Sequence, residues 1–499
     1  MTSKADFDVI VVGAGPVGAA ASLLLADYGL EVLVIDKEAQ IYPLPRAAHI
    51  DHEIVRVLQS VGAADDVMAT SRPAESYNFL TADRQTLMRF NSGHGTSPSG
   101  WPASNMIHQP SLEEVIRQKI ATRKNITLKT SWALTSIEQD QAQVTLELET
   151  PAGPMQKTSC YVIACDGAGS TVRSLLDIEL EDLGFDEPWL VIDTIVHDQT
   201  KLPDANLQIC DPARPTTCVL MGAGRHRWEF MLLPGETPEA VLEDEFIEQL
   251  LAPWDVASAV SLERKAVYRF HALMAKQWRK SRVFLAGDAA HQMPPFAGQG
   301  LCSGIRDVAN LAWKLSQTTK PPSEALLDSY QLEREPQVKM IIDLAIMMGQ
   351  TVCITDRAAA DQRDKDMLAQ RGTTEDPSGA MALPPLAAGC LLEGSKWAGT
   401  YFPQPWNATD KLDDVLEKSA WLISHKKGAS SSDVQWVSLL DEIMEPFAPA
   451  LAGWLEENGC EAVLVRPDRY VFGTGTVIEL LSAYNSQVGI LTPTDSAAG

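Results

Sequence analysis

The chain has 499 residues, 45% apolar and 21% charged, a balance that suits a soluble globular protein of two or three domains. With 41 Lys and Arg against 66 Asp and Glu, its formal net charge is −25, and that field repels phosphate backbones and anionic lipid headgroups. Nucleic acid is therefore excluded as an expected partner. No run approaches the roughly 20 consecutive apolar residues of a membrane span, and no basic, apolar leader precedes the first strand, so the cytoplasmic compartment is expected. The 8 cysteines include no C-x-x-C pair and read as free thiols, and no metal site is expected.

Asp8-Val-Ile-Val-Val12 is a short, β-branched apolar run that predicts a buried parallel strand. Gly13-Ala-Gly15-Pro16-Val-Gly18 follows at once, then a small-residue helix over Ala19–Tyr28. A second strand, Glu31–Ile35, ends in Asp36 and Lys37. Each part has a task. Gly13 permits a tight turn, Gly15 lets backbone approach a pyrophosphate, and Gly18 lets the helix pack on the sheet. The helix start attracts phosphate, and Asp36 is placed to accept ribose hydroxyls. The unit predicts a dinucleotide site without choosing between FAD and NAD.

Further along, Tyr161–Ala164 reads as a strand entering Cys165-Asp166-Gly167-Ala-Gly-Ser170-Thr-Val-Arg173. From Phe185 to Arg269 the pattern alternates, with strands expected at Trp189–Val196, Thr217–Met221 and Trp228–Leu233. The acidic stretch Thr237–Leu251 interrupts it as a solvated helix face. Ser281–Ala286 predicts another buried strand, running into Gly287-Asp288-Ala-Ala-His291 and Pro294-Pro295-Phe-Ala-Gly298-Gln-Gly300-Leu301-Cys302. A helix over Ser303–Leu315 follows, with one apolar face. Asp288 at a strand end suits a ribityl hydroxyl, and the N–H groups of Gly298-Gln-Gly300 suit negative charge. Residues 323–370 read as helical, the Met340–Met348 stripe as packing or a homodimer contact, and Gly372–Ser378 as a linker.

The segments Gly13–Gly18, Cys165–Arg173, Gly287–His291 and Pro294–Leu315 resemble those of single-component FAD-dependent aromatic hydroxylases with the p-hydroxybenzoate hydroxylase fold. Gly100-Trp101-Pro102, Phe185–Leu190, Trp228–Gly235 and Met293–Gly300 look like those of 3-(3-hydroxyphenyl)propionate hydroxylases in particular. Arg466-Pro-Asp-Arg-Tyr470 resembles the ending of the thioredoxin-like domain of phenol hydroxylases; with no C-x-x-C there, a structural or oligomeric role is expected for it rather than thiol redox chemistry.

The resemblance implies an α/β architecture. A Rossmann-like FAD-binding domain (1–75, 100–184, 270–370) would carry an inserted antiparallel-sheet substrate domain (76–99, 185–269). A C-terminal thioredoxin-like domain (371–499) would follow. It also implies cofactor contacts at Gly13, Gly15, Pro16, Gly18, Asp36, Lys37, Arg46 of the Pro45-Arg46-Ala47 segment, Gln109, Asp166, Gly287, Asp288, Pro295, Gly298, Gly300, Leu301 and Cys302. Where the family often has Asn and Arg, this sequence has Cys302 and His52.

The activity so implied is ortho-hydroxylation of a phenol to a catechol. NADH or NADPH would reduce bound FAD, and O₂ would add as a C4a-hydroperoxide. Residues expected beside the reacting ring are His108, Tyr268, Arg227 and Pro295, with His291 nearer the pyrophosphate. His108 and Tyr268 are candidate proton acceptors, and Arg227 a candidate partner for a carboxylate or flavin charge. A resorcinol, or a larger polycyclic phenol, is the alternative substrate, the choice resting on space near Trp101, Trp189 and Met221. A flavin-bound redox sensor that hydroxylates nothing is the alternative of another class.

Overall fold

The computed structural model describes residues 5–43, 46–91, 95–317, 322–371, 383–407 and 409–489. Pro45 and the expected linker Gly372–Ser378 lie outside them.

The first strand, Phe7–Val12, sits mid-sheet, with Val9 paired in parallel to both Tyr161 and Val32. Neighbours on both edges and packing on both faces explain its unbroken apolar run. In spatial order the sheet runs Arg279–Lys280, Val283–Leu285, Gly153–Ala164, Phe7–Val12, Val32–Asp36, Ile126–Thr130, and a hairpin (Ala133–Gln139, Val144–Thr150) extends it from Gly153–Ala164. The helix Pro16–Asp27 lies close on the sheet through Ala19, Ala20 and Ala21, all buried.

A second sheet, almost wholly antiparallel, forms in the order His291–Gln292, Val260–Ala275, Leu180–Val196, Arg225–Met231, Thr216–Leu220, Asn206–Ile209, Ser76–Leu80, Thr86–Asn91. Its central strands alternate, with bulges near Asp193–Thr194 and Phe79–Leu80. Leu190, Ile192, Cys218, Trp228 and Phe230 pack on one face against Val241 and Ile247 of the acidic helical stretch. On the other face Arg227, Glu229, Thr217, Val219, Asn206 and Gln208 border an internal cavity. Period-two alternation thus gives one face to a core and the other to a site. The short strand His291–Gln292, directly after the Gly-Asp turn, pairs with Leu273 and Met274 and stitches this sheet to the first domain.

The helix Gly300–Leu315 packs on Pro16–Asp27, and Glu324–Val352 packs on Gly300–Leu315, its Tyr330 hydroxyl donating to the Leu285 carbonyl of the first sheet at 2.8 Å. Of the methionine stripe, Met340 and Met347 are exposed, whereas Met348 turns inward and lines the cavity. Beyond residue 383 the chain builds a four-stranded mixed sheet, ordered Val434–Ser438, Ala420–Ser424, Ala462–Val465, Val471–Gly475. All 8 cysteines are free thiols, as expected.

The C-terminal unit is fastened by buried charge. Asp413 accepts from Arg56 Nη2 at 2.7 Å and from Arg469 Nε at 3.2 Å. Glu333 on the long helix meets Arg466 Nη2 at 2.7 Å and Lys314 Nζ at 2.9 Å. Removing one partner from such a cluster strands the others in a low dielectric, at about 3–5 kcal/mol. Asp413→Ala is therefore expected to destabilise the protein by about that amount in urea unfolding at neutral pH. Burial alone would raise the Asp413 carboxyl pKa, but Arg56 and Arg469 outweigh it and hold the value below the usual carboxylate range. The stabilisation is therefore complete above the unfolded-state pKa of about 3.9 and lost as pH falls through the lower folded value. Wild type and variant should converge in stability only in strong acid.

Candidate active site

The glycine turn has the shape a pyrophosphate requires. Gly13 has φ +99°, and a Cβ there would meet the Cys165 carbonyl oxygen at 2.4 Å; one on Gly18 would meet the Gly13 oxygen at 1.9 Å. A Cβ on Gly15, by contrast, would meet nothing within 4 Å. Two glycines are thus demanded by backbone packing, and the third opens toward space at the start of a helix. Pro16 is that helix's first residue, so no N–H is lost where none is bonded. Asp36 accepts from Ala14 N–H at 2.7 Å and Glu38 N–H at 2.8 Å, its remaining lone pairs being suited to ribose hydroxyls. Lys37 beside it is exposed.

Arg117 also belongs to this corner, though the sequence reading passed over it. Its Nη2 donates to the Ala14 carbonyl at 3.1 Å, while its buried Nε has no partner among the described residues. The available signal was spacing: Gln109, Glu113 and Arg117 stand four apart on one face of the helix Gln109–Ala121. Gln109 Nε2 donates to Glu113, and its Oε1 accepts from the backbone N–H groups of Arg46 (3.1 Å) and Ala47 (2.7 Å). Gln109 therefore holds the loop that carries Arg46.

A cavity of about 630 Å³ lies between the two sheets. One wall is the turn Met293–Leu301, which includes Pro295, Gly298, Gly300 and Leu301, together with Asp288 and the loop Arg46–His49. Gly298, at φ +63°, offers its carbonyl to His49 Nδ1 at 3.0 Å. The helix beginning at Gly300 leaves its first-turn N–H groups without intrahelical carbonyls, and they face this wall. Cys302 lies one layer beneath, its thiol near the carbonyls of His49 and Gly298, and burial pushes its pKa up.

Asp288 borders the cavity and has no hydrogen-bond partner among the described residues; the protein packed around it raises its pKa. An unpartnered carboxylate beside a flavin-sized cleft fits a ribityl hydroxyl, which would donate to it. Together with the open space at Gly15 and the free helix start at Gly300, it makes these residues a good fit for FAD.

Asp166 has another task. It accepts from Ser170 Oγ at 2.5 Å and Val172 N–H at 3.1 Å, capping the short helix Thr171–Leu175. Arg173 in that helix donates to the Ala289 and Ala168 carbonyls, joining the Asp-Gly segment to the Gly-Asp turn.

The opposite wall is the polar face of the second sheet. Arg227 donates through Nε to Asp193 Oδ1 at 2.6 Å and through Nη1 to the Arg46 carbonyl at 2.9 Å. Glu229 is buried on the same strand, 3.6 Å from Arg227 Nη1, and burial raises its pKa to about 7. Beside it Thr217 donates to Gln208, and Gln208 Nε2 donates to the Tyr77 hydroxyl. Tyr401, Phe402 and Pro403 close a third side, so the C-terminal unit contributes cavity wall as well as structure.

Several expectations are corrected. His108 does not line the cavity: it precedes the helix Gln109–Ala121, its Nδ1 bonds Ser111 Oγ at 2.8 Å, and burial lowers its pKa to about 4. Tyr268 lies outside the lining too, its ring 4.9 Å from the Arg264 guanidinium. His291 turns into the core toward Asp307 at 2.7 Å. Trp189 sits behind the wall, edge-to-face with Phe296, while Trp101 donates to Gln59, and neither they nor Met221 border the space. Glu229, Tyr77 and His49 were missed because a single Glu, Tyr or His carries no motif. For Glu229 the one signal was a charged residue two positions from Arg227 on the same strand, hence on the same face.

A family model described as an FAD binding domain matches residues 6–345. A probable NADH-specific resorcinol 4-hydroxylase of Rhodococcus jostii (strain RHA1) is 32% identical, covering 98% of this chain and 96% of that protein. A 3-(3-hydroxy-phenyl)propionate/3-hydroxycinnamic acid hydroxylase of Burkholderia cenocepacia (strain HI2424) is 31% identical over 93% of each chain. Among solved structures, the flavin-dependent monooxygenase PieE in complex with FAD and substrate shares the fold at 21% identity. Its TM-score is 0.81, across 97% of this chain and 99% of that one. Asp288 and the helix start at Gly300 border the cavity, and the glycine turn packs behind them through Val17, beside Gly287. That arrangement agrees with the relatives, and the chain belongs to the FAD-binding family of NAD(P)H-dependent aromatic monooxygenases.

Proposed function

We propose that the protein hydroxylates a meta-substituted phenol ortho to its hydroxyl, giving a catechol at the expense of NADH or NADPH and O₂. Substrates of the kind represented by 3-(3-hydroxyphenyl)propionate and resorcinol are the reading that its relatives' names support. The observation that carries it is the cavity of about 630 Å³, with flavin-binding motifs on one wall and a polar sheet face on the other. Since an isoalloxazine must share that space, a single benzene ring with a short substituent is favoured over a fused polycycle.

Bound FAD supplies the redox chemistry, taking electrons from the nicotinamide and activating O₂. The chain's own residues do the rest. The N–H groups at Gly300 and Leu301 face the wall where negative charge on a reduced ring is best placed. Asp288 and the Gly13–Gly18 turn hold the ribityl and pyrophosphate ends. Phe90, Met293, Phe296, Tyr401 and Phe402 give the cavity apolar surface and keep water from the reacting centre. Arg227, fixed by Asp193 and by the Arg46 carbonyl, ties the substrate sheet to the cofactor loop.

Holoenzyme mixed with NADH and each of several meta-substituted phenols should consume NADH in a substrate-dependent way. Mass spectrometry should find a product heavier by one oxygen atom, with little H₂O₂ released. If no phenol stimulates NADH oxidation, the ring-hydroxylation reading is wrong; stimulation without an oxygenated product favours the redox-sensing alternative. For the cofactor site, Asp288→Ala should purify colourless or weakly yellow with an unchanged far-UV circular dichroism spectrum. Full flavin occupancy in that variant would remove Asp288 from the proposed contacts.

A further inference from the structure

We infer that Glu229 is the group that accepts the phenolic proton of the substrate. The assignment rests on the phenol-hydroxylation reading and adds to it the residue that makes the ring nucleophilic.

Among the described residues four carboxylates border the cavity: Asp51, Glu53, Glu229 and Asp288. Asp51 and Glu53 are held by Arg306, at 2.6 and 2.7 Å. Asp288 lies in the cofactor turn. Glu229 alone of the four belongs to the substrate sheet, and it accepts no hydrogen bond from the described residues. Arg227 Nη1, at 3.6 Å, is too far for one, because its guanidinium is turned to Asp193 and the Arg46 carbonyl. Glu229 is thus a buried base without a donor, open to the space a phenol would occupy. The cavity histidines are differently placed: His49 donates Nδ1–H to Gly298 within the cofactor turn, and His52 Nδ1 meets Ser99 Oγ.

The charged groups facing Glu229 are Arg227 on its own strand, Asp193 on Leu180–Val196 and Arg264 on Val260–Ala275; Tyr77 on Ser76–Leu80 is the nearby phenol. With Glu229 ionised, these two arginines and two carboxylates sum to zero charge. Burial, only partly offset by Arg227, brings Glu229 to about 7. That is close enough to a phenol for ready transfer and low enough to leave the base ionised at mildly alkaline pH. Burial keeps Tyr77 protonated, and since its oxygen accepts from Gln208 Nε2, its own O–H remains a donor for the phenolate.

In the step itself the phenolic O–H bond breaks and a Glu229 O–H bond forms, the electron pair remaining on the phenolate oxygen and activating the ortho carbon. When the hydroxylated ring loses its C–H proton to solvent and regains aromaticity, Glu229 returns its proton to that first oxygen. The carboxylate is then restored. Electrons and O₂ are those of the monooxygenase reaction.

The test compares wild type with E229Q and E229D as FAD-bound protein. The first readout is binding of 3-nitrophenol, whose anion is yellow, without NADH. The neutral phenol, donating to the ionised carboxylate, should bind wild type and E229D more tightly as pH rises from 6 to 7.5, whereas binding to E229Q should show no such rise. The second is the pH profile. Wild-type kcat/KM should rise tenfold per pH unit up to about 7 and then level. E229Q should lose that limb and climb with pH across the whole range, falling about a hundredfold or more below wild type at pH 7.5. The same pH-dependent tightening in E229Q, or an unchanged limb near 7, overturns the assignment and points to His49. A Glu229-dependent rise in phenol binding without hydroxylation of any phenol would leave the proton acceptor standing while the hydroxylase reading failed.

Discussion

The active-site architecture hangs on one buried carboxylate. Asp307, wholly inaccessible, accepts from the Gly287 N–H at 3.0 Å, His291 Nε2 at 2.7 Å and Arg334 Nε at 3.0 Å. It stands on the helix Gly300–Leu315, so a single side chain fixes that helix against the Gly-Asp turn and the long helix Glu324–Val352. Asp288 and the helix start at Gly300 are consequently held in register on one wall. Burial opposes the charge, but His291, Arg334 and the Gly287 N–H keep the carboxyl below its usual pKa, as a structural anion at neutral pH must be. The packing is correspondingly tight: a Cβ on Gly304 would meet Val17 at 2.7 Å and the Gly287 Cα at 3.0 Å.

A second constraint couples the walls. The Arg46–Ala47 backbone is clamped from both sides, its N–H groups by Gln109 and the Arg46 carbonyl by Arg227. Gln109 stands on a helix of the first domain and Arg227 on the second sheet. Motion of the substrate sheet therefore pulls on the loop beside the cofactor site. The C-terminal unit adds a third hold, since Arg56 donates to the Phe402 carbonyl at 2.5 Å as well as to Asp413. The ion pairs that fasten that unit also position the aromatic wall it lends to the cavity.

The glycine turn and its strand–helix–strand setting were legible in the sequence because their demands are local. Gly13, Gly15, Gly18 and Asp36 are separated by one turn, one helix and one strand, and backbone geometry at each glycine admits few alternatives. The Gly287–Asp288 and Pro294–Leu301 segments were readable for the same reason. The substrate wall was not. Glu229, Tyr77, Gln208 and Thr217 come from four strands, and only sheet register, with Glu229 opposite Thr217 and Gln208 in turn beside Thr217, brings them together. His108 misled because an isolated histidine next to a recognised glutamine is equally a helix-start residue, and its bond to Ser111 makes it that. Arg227 was marked as a charge partner; that its partner is the internal Asp193 could be learned only from the pairing of two strands 34 residues apart.

Most charge around the cavity is already answered. Arg306 is taken by Asp51 and Glu53, and Arg227 by Asp193. Asp288 on one wall accepts no hydrogen bond from the described residues, Glu229 on the other has only Arg227 at 3.6 Å, and the protein packed around each raises its pKa. Their surroundings separate their tasks. Asp288 faces the cofactor turn, where hydroxyl donors would satisfy it permanently and hold it ionised. Glu229 faces the substrate space and two arginines already engaged by Asp193, so no resident donor fixes its protonation and a transient phenol can change it. The same functional group would thus be an anchor on one wall and a base on the other, through the neighbours each wall supplies.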